Sequence, residues 1–159
     1  EKIVLTQEGE MIKIKYEILA NEVENIVAIK EASDSADRLT EIGAMGEKLR
    51  LYAGNDSQLF TVLSLGGGGV VSVLSNLAPR EMMDIYLCFK AGDIEGARAR
   101  QMKLLPLIRA MFIETNPAPI KHAMASLGLC SSELRLPLFE ISSDHKHLVD
   151  IELRRFGFI

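Results

Sequence analysis

The sequence predicts an α/β fold on two observations. An apolar run followed by a stretch of helical periodicity recurs three times between residues 25 and 91, and the rest of the chain beyond Gly92 reads as helix without a clear strand. Strands that alternate with helices pair in parallel through right-handed crossovers, because a right-twisted strand packs its helix back onto the sheet only with that hand. A composition of 48% hydrophobic and 25% charged residues over 159 positions suits one globular unit with a substantial core.

Residues 25–30, Asn-Ile-Val-Ala-Ile-Lys, are apolar without alternation, which predicts a strand buried on both faces. Ser33 or Asp34 then offers a cap to a helix carrying Ala36, Leu39 and Ile42, whose end is loosened by Gly43 and Gly46. Residues 49–53 form the second predicted strand, and Gly54-Asn55-Asp56 a turn. Asp56 is placed to cap a helix with Leu59, Phe60 and Leu63 that stops at Gly66. Residues 70–74 form the third strand, and Pro79 sits near the first position of a helix with Met82, Met83, Tyr86 and Phe89.

Residues 93–114 make one amphipathic stretch that Pro106 is expected to kink or break. Pro117 and Pro119 open a further helix ending at Gly128, residues 134–138 are extended, and Ser143 caps a last helix ending at Gly157. At the start, residues 2–6 suit a strand and residues 7–10 a turn. Residues 11–20 fit both strand alternation and helical spacing. A helix over residues 13–21 is preferred because it would continue the βα pattern. The expected division is residues 1–91 for the strand–helix units and 92–159 for a helical domain.

Charge and cysteine usage narrow the function. The net charge is −4, and Arg98, Arg100 and Lys103 follow directly on Asp93 and Glu95, so no basic stripe points to a nucleic acid. Cys88 and Cys130 form no C-x-x-C and read as two buried thiols in a reducing compartment. No apolar run nears the roughly 20 residues of a membrane span, and the opening residues do not read as a signal peptide; a cytoplasmic protein is expected.

Three parallel strands with helices make either an open doubly wound sheet or part of a closed barrel. The open sheet usually carries a glycine-rich phosphate turn after its first strand, whereas Thr6-Gln7-Glu8 and Glu31-Ala32-Ser33 stand at those places. Gly66-Gly67-Gly68-Gly69 lacks the Lys-Ser/Thr ending of a P-loop and precedes a strand, so it reads as a helix C-cap with a tight return. His145 and His147 are two apart on a helix and diverge, His122 stands alone, and Ser72 and Ser75 have no His-Asp partner nearby in sequence; none reads as a metal or nucleophile site.

Lys30 closes an otherwise apolar strand. In a barrel this places its amine at the C-terminal mouth, where apolar surroundings disfavour the charged form and leave a nucleophilic free base able to condense with a carbonyl compound. A strand-end lysine reaching into solvent is the plainer alternative.

Five ordered motifs sharpen the choice. Ile26-Val27-Ala28-Ile29-Lys30-Glu31-Ala32-Ser33, Tyr52-Ala53-Gly54-Asn55-Asp56, Gly66-Gly67-Gly68-Gly69-Val70-Val71-Ser72-Val73 with Asn76, Glu114-Thr115-Asn116-Pro117-Ala118-Pro119-Ile120-Lys121 and Leu134-Arg135-Leu136-Pro137 resemble, in order, segments of the dihydrodipicolinate synthase and N-acetylneuraminate lyase superfamily. The last two favour the dihydrodipicolinate synthase branch. The resemblance implies a partial (β/α)8 barrel of about strands five to eight followed by a helical domain. It also implies Lys30 as the Schiff-base lysine, with backbone carbonyls at Gly54 and Val71 shaping its environment. The implied reaction joins pyruvate to aspartate semialdehyde, as in lysine biosynthesis, with neither a metal nor an organic cofactor. An N-acetylneuraminate-lyase-like pyruvate aldolase and a non-catalytic half-barrel assembly module are the alternatives.

The resemblance is incomplete. Thr6-Gln7-Glu8-Gly9-Glu10 stands where the family carries a Tyr-x-x-Pro-x-Arg motif after its fifth strand, the paired hydroxyl residues of the second strand have no counterpart, and Tyr16 and Tyr52 match no relay position. A half-barrel exposes apolar edges and an apolar inner face, so pairing with a complementary half or self-association is expected, with little turnover by the chain alone.

Overall fold

The computed structural model describes residues 7–8, 11–12 and 21–159. Gln7–Glu8 (β1) pairs antiparallel with Met11–Ile12 (β2), so Gln7 and Glu8, expected in a turn, are strand residues; residues 9 and 10 of that expected turn lie outside the described residues. Residues 21–22 are helical. The strand expected over residues 2–6 and most of the helix expected over residues 13–21 lie outside the described residues.

The parallel sheet has the order β3 (Ala28–Glu31), β4 (Arg50–Ala53), β5 (Gly69–Val70). Ile29 lies opposite Leu51, Lys30 opposite Tyr52 and Glu31 opposite Ala53, while Tyr52 and Ala53 face Gly69 and Val70 across the next ladder. Side chains of a strand alternate between faces. One face therefore carries Ile29, Leu51, Ala53 and Val70, which pack with Leu39, Ile42 and Val62. Leu39 and Ile42 come from α1 (Ala36–Gly43) and Val62 from α2 (Leu59–Ser64). Ile42 and Val62 are 0% exposed, and each such side chain contributes about 1.5–3 kcal/mol by leaving water. The other face carries Ala28, Lys30, Tyr52 and Gly69.

The expectation of a first strand buried on both faces is corrected: Val27 is 66% and Ile26 36% exposed, and Ala28 and Lys30 are exposed too. Among the described residues helices cover one face only, and β3 is an edge of this sheet. The third strand is likewise shorter than expected. It stops at Val70, and Val73 opens a 3-10 turn over Leu74–Asn76 in place of an extended chain.

The C-terminal helices α3 (Pro79–Lys90), α4 (Ile94–Met111), α5 (Ala118–Ser126) and α6 (Ser143–Arg155) build the larger core, with Ile85, Leu107, Met111, Val149 and Leu153 fully buried. Asp93 caps α4 by accepting the Gly96 N–H at 2.9 Å. The helix runs through Pro106 without the expected break. The amide bond that proline forfeits would have gone to the Met102 carbonyl, on a part of the helix where Met102 is 54% exposed.

Cap positions also shift. Ser35, not Ser33 or Asp34, caps α1 by accepting from Arg38 N at 3.2 Å, and Ser142 rather than Ser143 stands at the N-cap of α6. Residues 136–137 form a turn closed by Leu138 N donating to Arg135 O at 3.1 Å, so that segment is not extended throughout. The glycine run behaves as predicted. Gly66 leaves α2 at φ +80°, and a methyl group on Gly67 would overlap Val62 Cγ1 and lie 2.8 Å from the Leu51 carbonyl. No helix among the described residues is long and apolar enough to cross a membrane.

Candidate active site

The C-terminal ends of β3, β4 and β5 converge three loops, and with them Lys30, Gly54 and Val71. Gly54 is buried and donates its N–H to the Glu31 carbonyl at 2.6 Å; Val71 donates to the Ala53 carbonyl at 2.8 Å. These bonds continue the two ladders by one step and bring the loops into register with the lysine. A methyl group on Gly54 would overlap Ala32 Cβ and lie 3.0 Å from Lys30 Cε. Glycine is therefore required beside the aliphatic stem of Lys30 for steric reasons.

Lys30 itself is exposed, and among the described residues its amine has no ion-pair or hydrogen-bond partner. The desolvation of the amine expected from the sequence is therefore not supplied by the described residues. Among the described residues no helix covers the lysine's face of the sheet, where Ala28 is exposed as well, and Val71, whose backbone carbonyl was expected to shape the site, is 50% exposed as a residue. A cleft of about 380 Å³ is lined by Asp34, Asn55, Asp56, Arg109 and neighbouring apolar residues; Lys30 does not line it.

Polar side chains that the sequence reading passed over hold the loops. Asn55 Nδ2 donates to the Ala32 carbonyl at 3.2 Å and Gln58 Nε2 to the Ser33 carbonyl at 2.8 Å, tying the loop after β4 to the loop after β3. Asp56 was expected to cap its own helix. Instead its fully buried carboxylate accepts the N–H groups of Val73 (2.9 Å) and Leu74 (3.2 Å), across to the loop after β5. Gln101 of α4, 2% exposed, donates to the Asp56 carbonyl at 3.2 Å and accepts from Phe60 N at 3.3 Å. Its signal was present in the sequence: Ala97, Gln101, Leu104 and Ile108 share one helical stripe, and an amide on an apolar stripe must find partners. Glu31 points to the helix-covered face, accepting from Ser33 N at 2.6 Å with Arg38 Nε at 4.0 Å.

His122 and His145 go to carboxylates, whereas His147 is exposed, as is Cys130, which was expected to be buried. His122 Nε2 meets Asp150 at 2.9 Å and His145 Nδ1 meets Glu114 at 2.6 Å. Among the described residues no cluster of three or more His, Cys, Asp or Glu side chains could hold a metal. Hydrogen bonds from Ser142 and from His145 hold the Glu114 carboxyl at about 2, well below the usual carboxylate range.

A parallel sheet covered by helices on one face, with a lone lysine at its strand ends and a helical C-terminal layer, defines an α/β chain of the kind in which chemistry sits at strand C-termini. Comparison with known proteins agrees. The dihydrodipicolinate synthetase family matches over residues 8–155. The chain is 40% identical over 150 residues, 94% of its own length and 50% of the relative's, to the 4-hydroxy-tetrahydrodipicolinate synthase of Thermoanaerobacter sp. strain X514. It is 44% identical over 142 residues, 89% of its length and 48% of the relative's, to that of Lachnoclostridium phytofermentans. The crystal structure of dihydrodipicolinate synthase from Thermotoga maritima superposes with a TM-score of 0.85 at 35% identity, covering 89% of this chain and 49% of that one. This chain belongs to the dihydrodipicolinate synthetase family. It spans about half the length of the relatives it matches.

Proposed function

We propose that this chain carries the Schiff-base lysine of a 4-hydroxy-tetrahydrodipicolinate synthase, Lys30, and condenses pyruvate with aspartate semialdehyde when its open sheet face is covered. The observation that carries the reading is the placement of Lys30: it stands on the uncovered face, at the C-terminal end of a parallel strand, with its stem against a glycine that admits no side chain. The names of the relatives support the substrate pair. The three strands then correspond to the last part of a (β/α)8 barrel, whose remaining strands would bury the Lys30 face and supply a proton relay and a grip for the substrate carboxylate. A cytoplasmic setting goes with this reading.

In the proposed reaction the Lys30 amine adds to the keto carbon of pyruvate, and water leaves to give an imine. Loss of a methyl proton makes an enamine, whose carbon attacks the aldehyde carbon of aspartate semialdehyde. Attack of the semialdehyde's own amine on the imine carbon closes the ring and returns the lysine. Low dielectric around the amine is what activates it. With Lys30 exposed, the chain alone is expected to be a weak imine former.

Borohydride trapping tests this. The chain would be incubated with pyruvate and borohydride, alone and with the polypeptide that forms the other half of the Thermoanaerobacter relative. The expected result is a Lys30 adduct, heavier by the mass of pyruvate less one oxygen, that rises sharply in the paired sample. Absence of a Lys30 adduct in both samples, while the intact relative is labelled, would exclude the reading and leave a non-catalytic assembly role.

A further inference from the structure

Three loops must keep a common geometry if Lys30, Gly54 and Val71 are to act together, yet the sheet beneath the third loop is only two residues long at β5. The ladder ends with Val71 N on the Ala53 carbonyl, and beyond it the backbone turns away into Leu74–Asn76. Something other than strand pairing has to hold that turn. The groups that do so are Asp56 and Gln101. Asp56 Oδ2 takes both Val73 N and Leu74 N, the first orphan donors of the 3-10 turn, so the loop after β4 caps the loop after β5. The Asp56 backbone is itself held by Gln101 Nε2, whose Oε1 takes Phe60 N at the start of α2. Both side chains are buried, at 0% and 2% exposure; Asp56 is held through Oδ2, which takes both amides, while its Oδ1 is buried without a hydrogen-bond partner.

We infer that Asp56 is a positioning residue for the Lys30 site and that Gln101 links it to α4, so that the C-terminal helical layer sets the spacing between Gly54 and Val71 around the lysine. The functional part rests on the proposed role of Lys30; the mechanical part does not. Asp56 does not touch the lysine. It acts through two amides, and its charge is not needed for that, only an oxygen that accepts both. This separates it from a group that binds substrate.

The test is amide hydrogen exchange on the 159-residue chain as it stands, with Asp56→Ala, Asp56→Asn and Gln101→Met. In Asp56→Ala, exchange at Val73 and Leu74 should rise about tenfold or more, and exchange at Val71 and Gly54 should rise with it. Asp56→Asn keeps an acceptor and should restore protection at all four amides. Gln101→Met leaves Asp56 in place and, should Asp56→Ala fail to fold, gives the same reading: faster exchange at Phe60 and at Val73 and Leu74. Faster exchange at Val73 and Leu74 with Val71 and Gly54 unchanged would overturn the inference, since the carboxylate would then cap only its own turn. So would loss of protection in Asp56→Asn equal to that in Asp56→Ala. Trapping of Lys30 by pyruvate in the paired sample should follow the same order, with Asn near wild type and Ala slower. If wild type does not trap at all, the Schiff-base reading fails while the exchange data still decide the linkage.

Discussion

The space a side chain at Gly54 would need is taken by the stem of Lys30 and by Ala32: a methyl group on the glycine would lie 3.0 Å from Lys30 Cε, 2.9 Å from Ala32 Cα and overlapping Ala32 Cβ. The lysine stem could swing aside, but the Ala32 backbone cannot. Gly54→Ala should therefore push apart the loops after β3 and β4 and cost about 1–3 kcal/mol, the usual range for overpacking. Urea unfolding measures this directly. A loss under about half a kcal/mol would mean that the two loops are less tightly joined than the Gly54 N to Glu31 O bond of 2.6 Å indicates.

Lys30→Ala separates chemistry from stability. The side chain is exposed and has no polar partner among the described residues, so its removal should leave unfolding free energy within about 0.5 kcal/mol of wild type. The same substitution should abolish pyruvate-dependent borohydride labelling in the paired sample. A large destabilisation would point to a structural use of the amine that no contact of this sheet accounts for.

The alternation of strand and helix between residues 25 and 91 was legible because each segment has its own periodicity and its own stop signal. The lysine was legible for a similar reason, as a charged residue ending an apolar strand. What local pattern could not convey was exposure. Ile26, Val27 and Ala28 read as a buried strand because apolar runs report the environment a strand is suited to, and here only one face is covered. Asp56 was misread for a related reason. An Asp two residues after a glycine turn suits a local cap, and nothing nearby in sequence shows that its oxygen reaches Val73. Gln101 could have been found from its place on the apolar stripe of α4, but its partners, 41 and 45 residues away, could not.

The glycine run offers a comparison of two physical causes. Gly66 sits at φ +80° with nothing within 4 Å of a would-be Cβ, so Gly66→Ala meets backbone strain alone and should cost about 1–2 kcal/mol. Gly67 has no such φ, but its methyl group would lie 2.8 Å from the Leu51 carbonyl and 2.9 Å from the Val62 carbonyl, where α2 passes over β4. Neither backbone atom can rotate away. Gly67→Ala should be the more damaging of the two, and equilibrium unfolding of both variants checks the order.

Glu114 gives a prediction with a sign. Its carboxyl is lowered from 4.5 to about 2 by hydrogen bonds from Ser142 (Oγ at 2.7 Å, N at 3.0 Å) and from His145. A folded-state value below the unfolded one means that the unfolded chain binds the proton more readily. The stabilisation is therefore complete above the unfolded value of 4.5 and is lost as pH falls toward about 2. The group lies at the surface, so solvent screening keeps its contribution small, and the direction is the test. Between about pH 5 and pH 2 the unfolding midpoint of wild type should fall more steeply than that of Glu114→Gln, which accepts the Ser142 bonds without titrating. If the two acid limbs run parallel, the contact between Glu114 and the start of α6 does not contribute to the fold's acid sensitivity, and α6 is held by its buried Val149 and Leu153 and by the His122–Asp150 contact.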